Sequence, residues 1–280
     1  MRQEARGKRQ DAKPATLNSQ LATRKMTTPQ ITLYALPGIP DVQAGDDVAR
    51  LILNALDRAG LTLADGDVVV VTQKIVSKAE GCAVKLAGVE PSPEAQALAA
   101  ATDKDPRLVE VILRGSRGVV RQRGGTLIME TRHGWICANA GVDRSNVAGS
   151  EGEIALTLPE DPDASAQHIR AGLMAAINTD VAVIITDTHG RAWRLGTVNV
   201  ALGVAGMLPI ADLRGQPDMF GYALRVTTVA RADELAAAAG LVTGQAAEGL
   251  PVVVIRGAEY PRGNGRATDM QRSPEKDLFR

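Results

Sequence analysis

Apolar positions recur along this chain with two periods, and the switches between them lay out its elements. Residues 31–36 alternate as a strand does and stop at Pro37-Gly38-Ile39-Pro40, where proline and glycine fix a tight loop. Asp46 or Asp47 then caps a predicted helix whose apolar positions Val48, Leu51, Ile52, Ala55, Leu56 and Ala59 share one face. Beyond the turn Asp65-Gly66-Asp67, residues 68–72 form an unbroken β-branched run, too short for a helix and apolar enough to be covered on both sides. That strand delivers Gln73, Lys74, Ser77 and Lys78 at its far end.

Two helices follow, announced by Ser92-Pro93 and Asp105-Pro106. Residues 126–131 and 135–139 read as a hairpin around Arg132-His133-Gly134. Asp161-Pro162 opens a helix with Ile169, Leu173, Ala176 and Ile177 on one side, before a second buried strand over residues 181–185. Downstream, residues 203–206 and 214–216 read as loops, 224–229 as a strand, 232–241 as an Ala-rich helix, 243–250 as a polar loop and 252–255 as a strand. Strands and helices mix without a strict βαβ rhythm, so the expected class is α+β, with mixed or antiparallel sheets and flanking helices. The expected organisation is a disordered basic tail over residues 1–28, one domain over 29–257 and a loose polar tail over 258–280.

Composition narrows the function. The formal net charge is zero, but residues 1–25 hold seven Lys or Arg against two acids, which leaves the body mildly acidic. A nucleic-acid partner is therefore not expected, and aromatics at 2% leave few platforms for stacking bases. Cys82 and Cys137 form no Cys-x-x-Cys pair, so neither a disulfide framework nor a zinc site follows. No apolar stretch reaches the length of a membrane span and no secretory signal is legible; Glu4 and Asp11 interrupt any transit peptide. A cytoplasmic setting is the expectation.

Chemistry concentrates in two islands, Asp143-Arg144-Ser145-Asn146 and the residues 186–194 that include Asp187, Thr188, Arg191 and Arg194. Each sets a carboxylate beside oxygen-bearing side chains and arginines, the donors that a hard cation and a phosphoanion need. Taken alone, Asp187 reads first as a helix cap or turn residue and Lys78 as a solvated surface lysine, while Asp143 reads equally well as a turn former. Taken together, the two oxygen clusters suit magnesium or manganese held partly by substrate phosphates. Neither a Gly-x-x-x-x-Gly-Lys-Ser/Thr loop nor a helix-opening Gly-x-Gly-x-x-Gly is present, which leaves Pro37-Gly38-Ile39-Pro40 and Lys78 as the phosphate-binding candidates. His133 and Cys137 read as hairpin turn and core residues, and Arg107, Arg114, Arg117, Arg121 and Arg123 as a solvated helix face.

Four strings carry a resemblance: residues 72–81 (Thr-Gln-Lys-Ile-Val-Ser-Lys-Ala-Glu-Gly), 130–134 (Glu-Thr-Arg-His-Gly), 138–146 (Ala-Asn-Ala-Gly-Val-Asp-Arg-Ser-Asn), and Thr186-Asp187-Thr188 with Gly190-Arg191 and Trp193-Arg194. Over residues 31–257 the chain closely resembles the coenzyme F420-0:L-glutamate ligase family. The resemblance implies GTP-dependent addition of L-glutamate to the lactyl carboxylate of coenzyme F420-0, with a further γ-linked glutamate often following. It implies nucleotide contacts at Leu36, Pro37, Gly38, Ile39, Gln73, Lys78 and Asn146, and along the loop Thr243, Gly244, Gln245, Ala246, Ala247, Glu248, Gly249 and Leu250. It implies two divalent cations, magnesium or manganese, on Asp143, Asp187, Thr188 and Gln245, admits a potassium ion beside them, and makes Asp143, Asp187 and Lys78 the catalytic set. Its fold is an α+β arrangement completed by an intertwined homodimer. Bifunctional members add a nitroreductase-like domain, and this chain is expected to be the single-domain form.

One departure stands out. After Arg194 that family tends to carry a Gln and then an acid, where this chain has Thr197-Val198-Asn199. The change is expected to affect substrate contacts while leaving the metal positions untouched. His189, where an aromatic is common, is expected to be a packing or ligand-contact variant. Two other classes use the same residues: a metal-dependent phosphohydrolase, and a non-catalytic nucleotide or deazaflavin binder.

Overall fold

A five-stranded sheet forms the centre of the molecule in the computed structural model, which describes residues 28–144 and 153–278. In chain order the elements are β1 (Thr32–Ala35), α1 (Val48–Ala59), β2 (Val68–Thr72), α2 (Gln73–Ala79), β3 (Ala83–Lys85), α3 (Pro93–Thr102), α4 (Pro106–Arg114), β4 (Ser116–Arg123), β5 (Thr126–Thr131), β6 (Ile136–Ala138), β7 (Ile154–Leu156), α5 (Pro162–Ile177), β8 (Ala182–Arg191), β9 (Arg194–Ala205), β10 (Ile210–Asp212), β11 (Thr228–Ala230), α6 (Arg231–Thr243) and β12 (Val252–Arg256). The central sheet runs β1-β12-β2-β8-β9. Only the β2–β8 pairing is parallel; the other neighbours are antiparallel, and smaller sheets pair β3 with β7, β10 with β11, and β4-β5-β6. Mixed α+β is thus the class of the described residues.

The valine run of β2 is buried on both faces, as its unbroken apolar pattern predicts. Val69 and Val71 pack with Ile52 and Leu56 of α1 and Ile169 and Leu173 of α5. Val68 and Val70 face Ala232, Leu235 and Ala236 of α6. Helix α1 starts where the Asp47 carboxylate accepts from the Arg50 N–H and stops at Gly60, whose φ of 63° is cheap only for glycine. Helix α5 begins in the same way, with the Asp161 carboxylate capping Ala164 and Pro162 in the first turn.

Strand β9, the sheet's outer strand, was not legible in the sequence. Residues 203–206, expected as a loop, lie at and just beyond its end. A Cβ at Gly203 would sit 2.2 Å from the Pro162 carbonyl oxygen, so glycine is what lets the strand lie against the start of α5. Carboxylates on two helices serve N–H groups of this strand: Ala201 donates to Asp233 at 2.9 Å and Val204 to Asp163 at 2.8 Å.

Residues 258–278 do not trail as a loose tail but run back over the body. Arg262 bridges Asp65 and Asp180, Arg266 pairs with Asp161, Gln271 donates to the His133 carbonyl, and Ala267 is buried. Their polar composition concealed this because the partners are carboxylates and carbonyls far away in sequence.

Helices α3 and α4 pack with β5 around Ala95, Ala99, Val109, Ile112, Leu127 and Met129. The expected arginine helix face is divided here. Arg107 and Arg114 lie on α4 and pair with Asp105 and Glu110, whereas Arg117, Arg121 and Arg123 lie on β4, a strand hidden by its polar sequence and two register shifts. The strand expected over residues 224–229 shortens to β11. No helix among the described residues is long and apolar enough to cross a membrane.

Candidate active site

Sheet topology brings separate polar segments to one edge. Strands β2 and β8 run parallel in register, Thr72 beside Thr186, so Gln73 and Asp187 follow at the same level. Strand β12 runs the opposite way with Val252 beside Val71, which places the loop before it at that edge, and the Leu36 N–H donates to the Val252 carbonyl, which brings the segment after β1 there too. Ligands in open sheets collect at the carboxyl ends of parallel strands for this reason. A cavity of about 670 Å³ opens there, and Asp143, Asp187, Thr188, Lys74, Lys78 and the whole loop 243–250 line it.

The two carboxylates arrive by different routes. Asp187 lies within β8, opposite Val200, not beyond the strand's end as expected; the second island continues the strand as far as Arg191 and the turn at Trp193. One residue earlier the β8–β9 register shifts between Ile185 and Thr186, a bulge of the kind that re-aims neighbouring side chains. Asp143 is held by paired backbone hydrogen bonds with Leu156, at 3.0 and 2.8 Å. Before it, Gly141 takes φ 71° where a Cβ would collide with Leu158 at 2.8 Å, so that turn requires glycine.

Lysines face both rims of the cavity. Lys74 lies 2.7 Å from the Asp143 carboxylate. Lys78, one helical turn further along α2, lies 2.7 Å from Asp41 and holds that carboxyl below its ordinary range. Across the cavity the Thr188 hydroxyl donates to Gln245 Oε1 at 2.9 Å, and Gln245 Nε2 donates to Asn199 Oδ1 at 2.9 Å. Gly244 takes φ 75° and ψ −176°, a conformation that requires glycine, and the nearby Glu248 carboxylate accepts from the Ala246 N–H at 2.8 Å. The loop is therefore wound around its own acid.

His189 stands behind the site. Its Nε2 lies 3.5 Å from Asp187, with the side chain 12% exposed, and it does not line the cavity. Burial disfavours its charge, but Asp187 and Cys137 beside it prevail and push the imidazole up to about 9.

The structure thus gathers Ile39, Gln73, Lys78, Asp143, Asp187, Thr188, Thr243, Gly244, Gln245, Ala246, Ala247, Glu248, Gly249 and Leu250 around one cavity. Leu36 is instead a core side chain, and Pro37 and Gly38 do not line the cavity; the Gly38 carbonyl accepts from Arg58 at 2.7 Å. Asn146 lies outside the described residues. Sequence reasoning missed Asp41, and it passed over Lys74, although the four-residue spacing of Lys74 and Lys78 was a usable sign of a shared helix face. Asn199 was seen only as a departure thought to spare the metal positions. It faces Thr188 across the β8–β9 ladder and touches both Thr188 and Gln245, so the departure does reach them.

Among the described residues no three His, Cys, Asp or Glu side chains gather closely enough to hold a metal by themselves. The cavity offers instead the carboxylates of Asp41, Asp143, Asp187 and Glu248 together with hydroxyl and amide oxygens, a hard donor set that suits a cation shared with substrate phosphates.

The family model described as F420-0:Gamma-glutamyl ligase matches residues 38–257. The chain is 50% identical over 254 residues to a Methanothermobacter thermautotrophicus protein named coenzyme F420:L-glutamate ligase, covering 89% of this chain and 99% of that relative. Relatives of the same name in Methanopyrus kandleri and Methanocaldococcus jannaschii are 45% and 44% identical, over 90% and 77% of this chain and 98% and 85% of their own lengths. On this match, which spans most of the chain and includes the cavity's lining, the protein belongs to the F420-0:gamma-glutamyl ligase family.

Proposed function

We propose that this chain is a GTP-dependent ligase that joins the amine of L-glutamate to the lactyl carboxylate of coenzyme F420-0, and then adds a further glutamate through a γ-linkage. The observation that carries the reading is the convergence of Asp143 and Asp187, two lysines and a glycine-containing loop on one cavity, in a chain similar to named ligases over nearly their full length. A carboxylate does not accept an amine unaided, because its oxygen is too poor a leaving group. Its oxygen therefore attacks the γ-phosphorus of GTP, GDP departs, and the amine nitrogen of glutamate displaces phosphate from the acyl phosphate with loss of a proton.

Residues of the chain have defined tasks in this scheme. Lys78, when it exchanges Asp41 for phosphate oxygens, neutralises the triphosphate, and the loop 243–250 closes against the nucleotide. Asp143, Asp187, Thr188 and Gln245 would hold two divalent cations, which when bound supply the charge that shields the transferring phosphoryl group. Catalysis is positioning and electrostatics, and no side-chain nucleophile is needed. Exposed Trp193 and Leu195 at the β8–β9 turn, with Met219, Phe220 and Tyr222, are the kind of apolar surface that supports a homodimer.

Incubation of the chain with F420-0, GTP, glutamate and manganese, followed by mass spectrometry of the deazaflavin, tests the reading. Glutamylated product with stoichiometric GDP is expected. Phosphate release from GTP without acceptor would replace the reading with a phosphohydrolase, and binding without turnover with a carrier.

A further inference from the structure

We infer that Asn199 is a positioning residue that orients Gln245 and Thr188 so that both present oxygen to a cation; this rests on the metal-dependent ligase reading. Asn199 is 5% exposed, lies opposite Thr188 in the β8–β9 ladder and lines the cavity wall. Its Oδ1 accepts from Gln245 Nε2 at 2.9 Å and lies 3.3 Å from Thr188 Oγ1.

Those two contacts decide what the cavity is offered. The oxygen and nitrogen of a glutamine amide have nearly the same shape, so sterics alone do not choose which of them faces the cavity. An acceptor fixed on one side takes the NH₂, and Gln245 Oε1 then faces Thr188. The threonine hydroxyl has a single proton, given at 2.9 Å to Gln245 Oε1. That proton occupies one of the two lone pairs of Gln245 Oε1, and a second acceptor for it frees that lone pair for a cation. Asn199 Oδ1 has two lone pairs and lies within reach of both donors, so it can hold the amide and take the hydroxyl proton together.

Helix α6 packs closely behind the Asn199 side chain. A Cβ at Gly240 would lie 3.1 Å from Asn199 Cγ and 3.3 Å from both its terminal atoms, tighter than ordinary packing. Glycine in a helix costs stability relative to alanine, and here it makes room for the amide.

The test counts manganese bound per chain by electron paramagnetic resonance titration with GTP present, on the wild type, Asn199→Ala, Asn199→Asp and Gly240→Ala. The wild type is expected to take up two ions. Asn199→Ala should keep one site and weaken the other by about tenfold or more, as losses behind metal ligands do. Asn199→Asp keeps an acceptor oxygen for both donors and should restore the second site. Gly240→Ala, which improves helix propensity while crowding Asn199 from behind, should weaken the same site without altering any cavity-facing group, and keeps the test valid if Asn199→Ala fails to fold. Unchanged uptake in Asn199→Ala or in Gly240→Ala, or an Asn199→Asp variant as weak as Asn199→Ala, overturns the positioning role and leaves the ligase reading standing. A wild type that binds no manganese with GTP removes the metal-dependent reading and, with it, this inference.

Discussion

Two pairs of aspartates around the central sheet have opposite kinds of partner. Asp163 and Asp233 serve the outer strand β9 from helices on its two faces, and each accepts a backbone N–H from it. Asp163 takes a second N–H, from Ala267, on the same oxygen and lies 3.3 Å from Arg266. Asp143 and Asp187 line the cavity, where the Asp143 carboxylate meets the Lys74 ammonium and the Asp187 carboxylate lies 3.5 Å from the His189 imidazole. Backbone donors hold a carboxylate within the fold, whereas a cavity-lining side-chain cation such as Lys74 can be exchanged for a ligand. The partner thus separates an acid that holds the fold from one that the proposed chemistry can use. Burial marks the first kind as well: it pushes the Asp163 and Asp233 carboxyls above the ordinary range, against the pull of the N–H groups they accept from.

The largest effect that tests this contrast is expected at Asp187. Under the proposed function Asp187→Ala removes a ligand of the cations that shield the transferring phosphoryl group and should lower glutamyl transfer by at least about a hundredfold, while the melting temperature stays near wild type. A variant that unfolded instead would put Asp187 with the structural pair. Asp163→Ala should do the reverse. It leaves the N–H groups of Val204 and Ala267 buried without an acceptor, which costs about 3 kcal/mol of stability by denaturant unfolding, while activity per folded molecule persists. Asp163→Asn keeps the oxygen that both N–H groups use and should recover most of that loss.

A smaller effect is expected at Lys78. If its contact with Asp41 is exchangeable, Lys78→Ala should weaken GTP binding by about tenfold, roughly one charge-assisted hydrogen bond, and leave the KM for glutamate within about twofold. Equal losses for both substrates, by calorimetry and steady-state kinetics, would mean that the Lys78–Asp41 pair is structural.

How much of this was legible in the sequence follows from the range of the interactions involved. The β2 run and the caps at Asp47 and Asp161 act within a few residues, so their signals are local and were read correctly. Asp143, Asp187, Thr188 and Lys78 stood out because their neighbours are also polar, and the structure brings them together. Strand β9 was missed because Gly203 and its neighbours read as a loop until the start of α5 lies against them. Asp41 and Asn199 were missed for a related reason. One meets Lys78 from 37 residues away and the other Gln245 from 46, and only the fold supplies those distances. Leu36 erred the other way: it adjoins a segment that reaches the cavity, but its own side chain faces the core.

The smallest effect sharpens the contrast with an intermediate case, Glu110 on α4. Like the fold-holding pair it accepts a backbone N–H, from Ser92 at 3.0 Å, and like the cavity pair it meets a side-chain cation, Arg114 at 2.9 Å. The Ser92 N–H, with help from the Ser92 side chain and Arg114, holds its carboxyl down to about 2 from an ordinary 4.5. Because the folded value is depressed, the stabilisation is complete above about pH 4.5 and is lost as the pH falls toward about 2. Solvent screening near the surface limits it to about 1 kcal/mol, or about 3 °C in melting temperature for a domain of this size. Glu110→Gln should therefore melt about 3 °C below wild type at neutral pH, with the gap closing as both are titrated toward about pH 2. A gap that stayed constant across that range would mean that Glu110 acts through packing of α4 against Ser92, and that an N–H partner at the surface does not confer the hold it confers on Asp163.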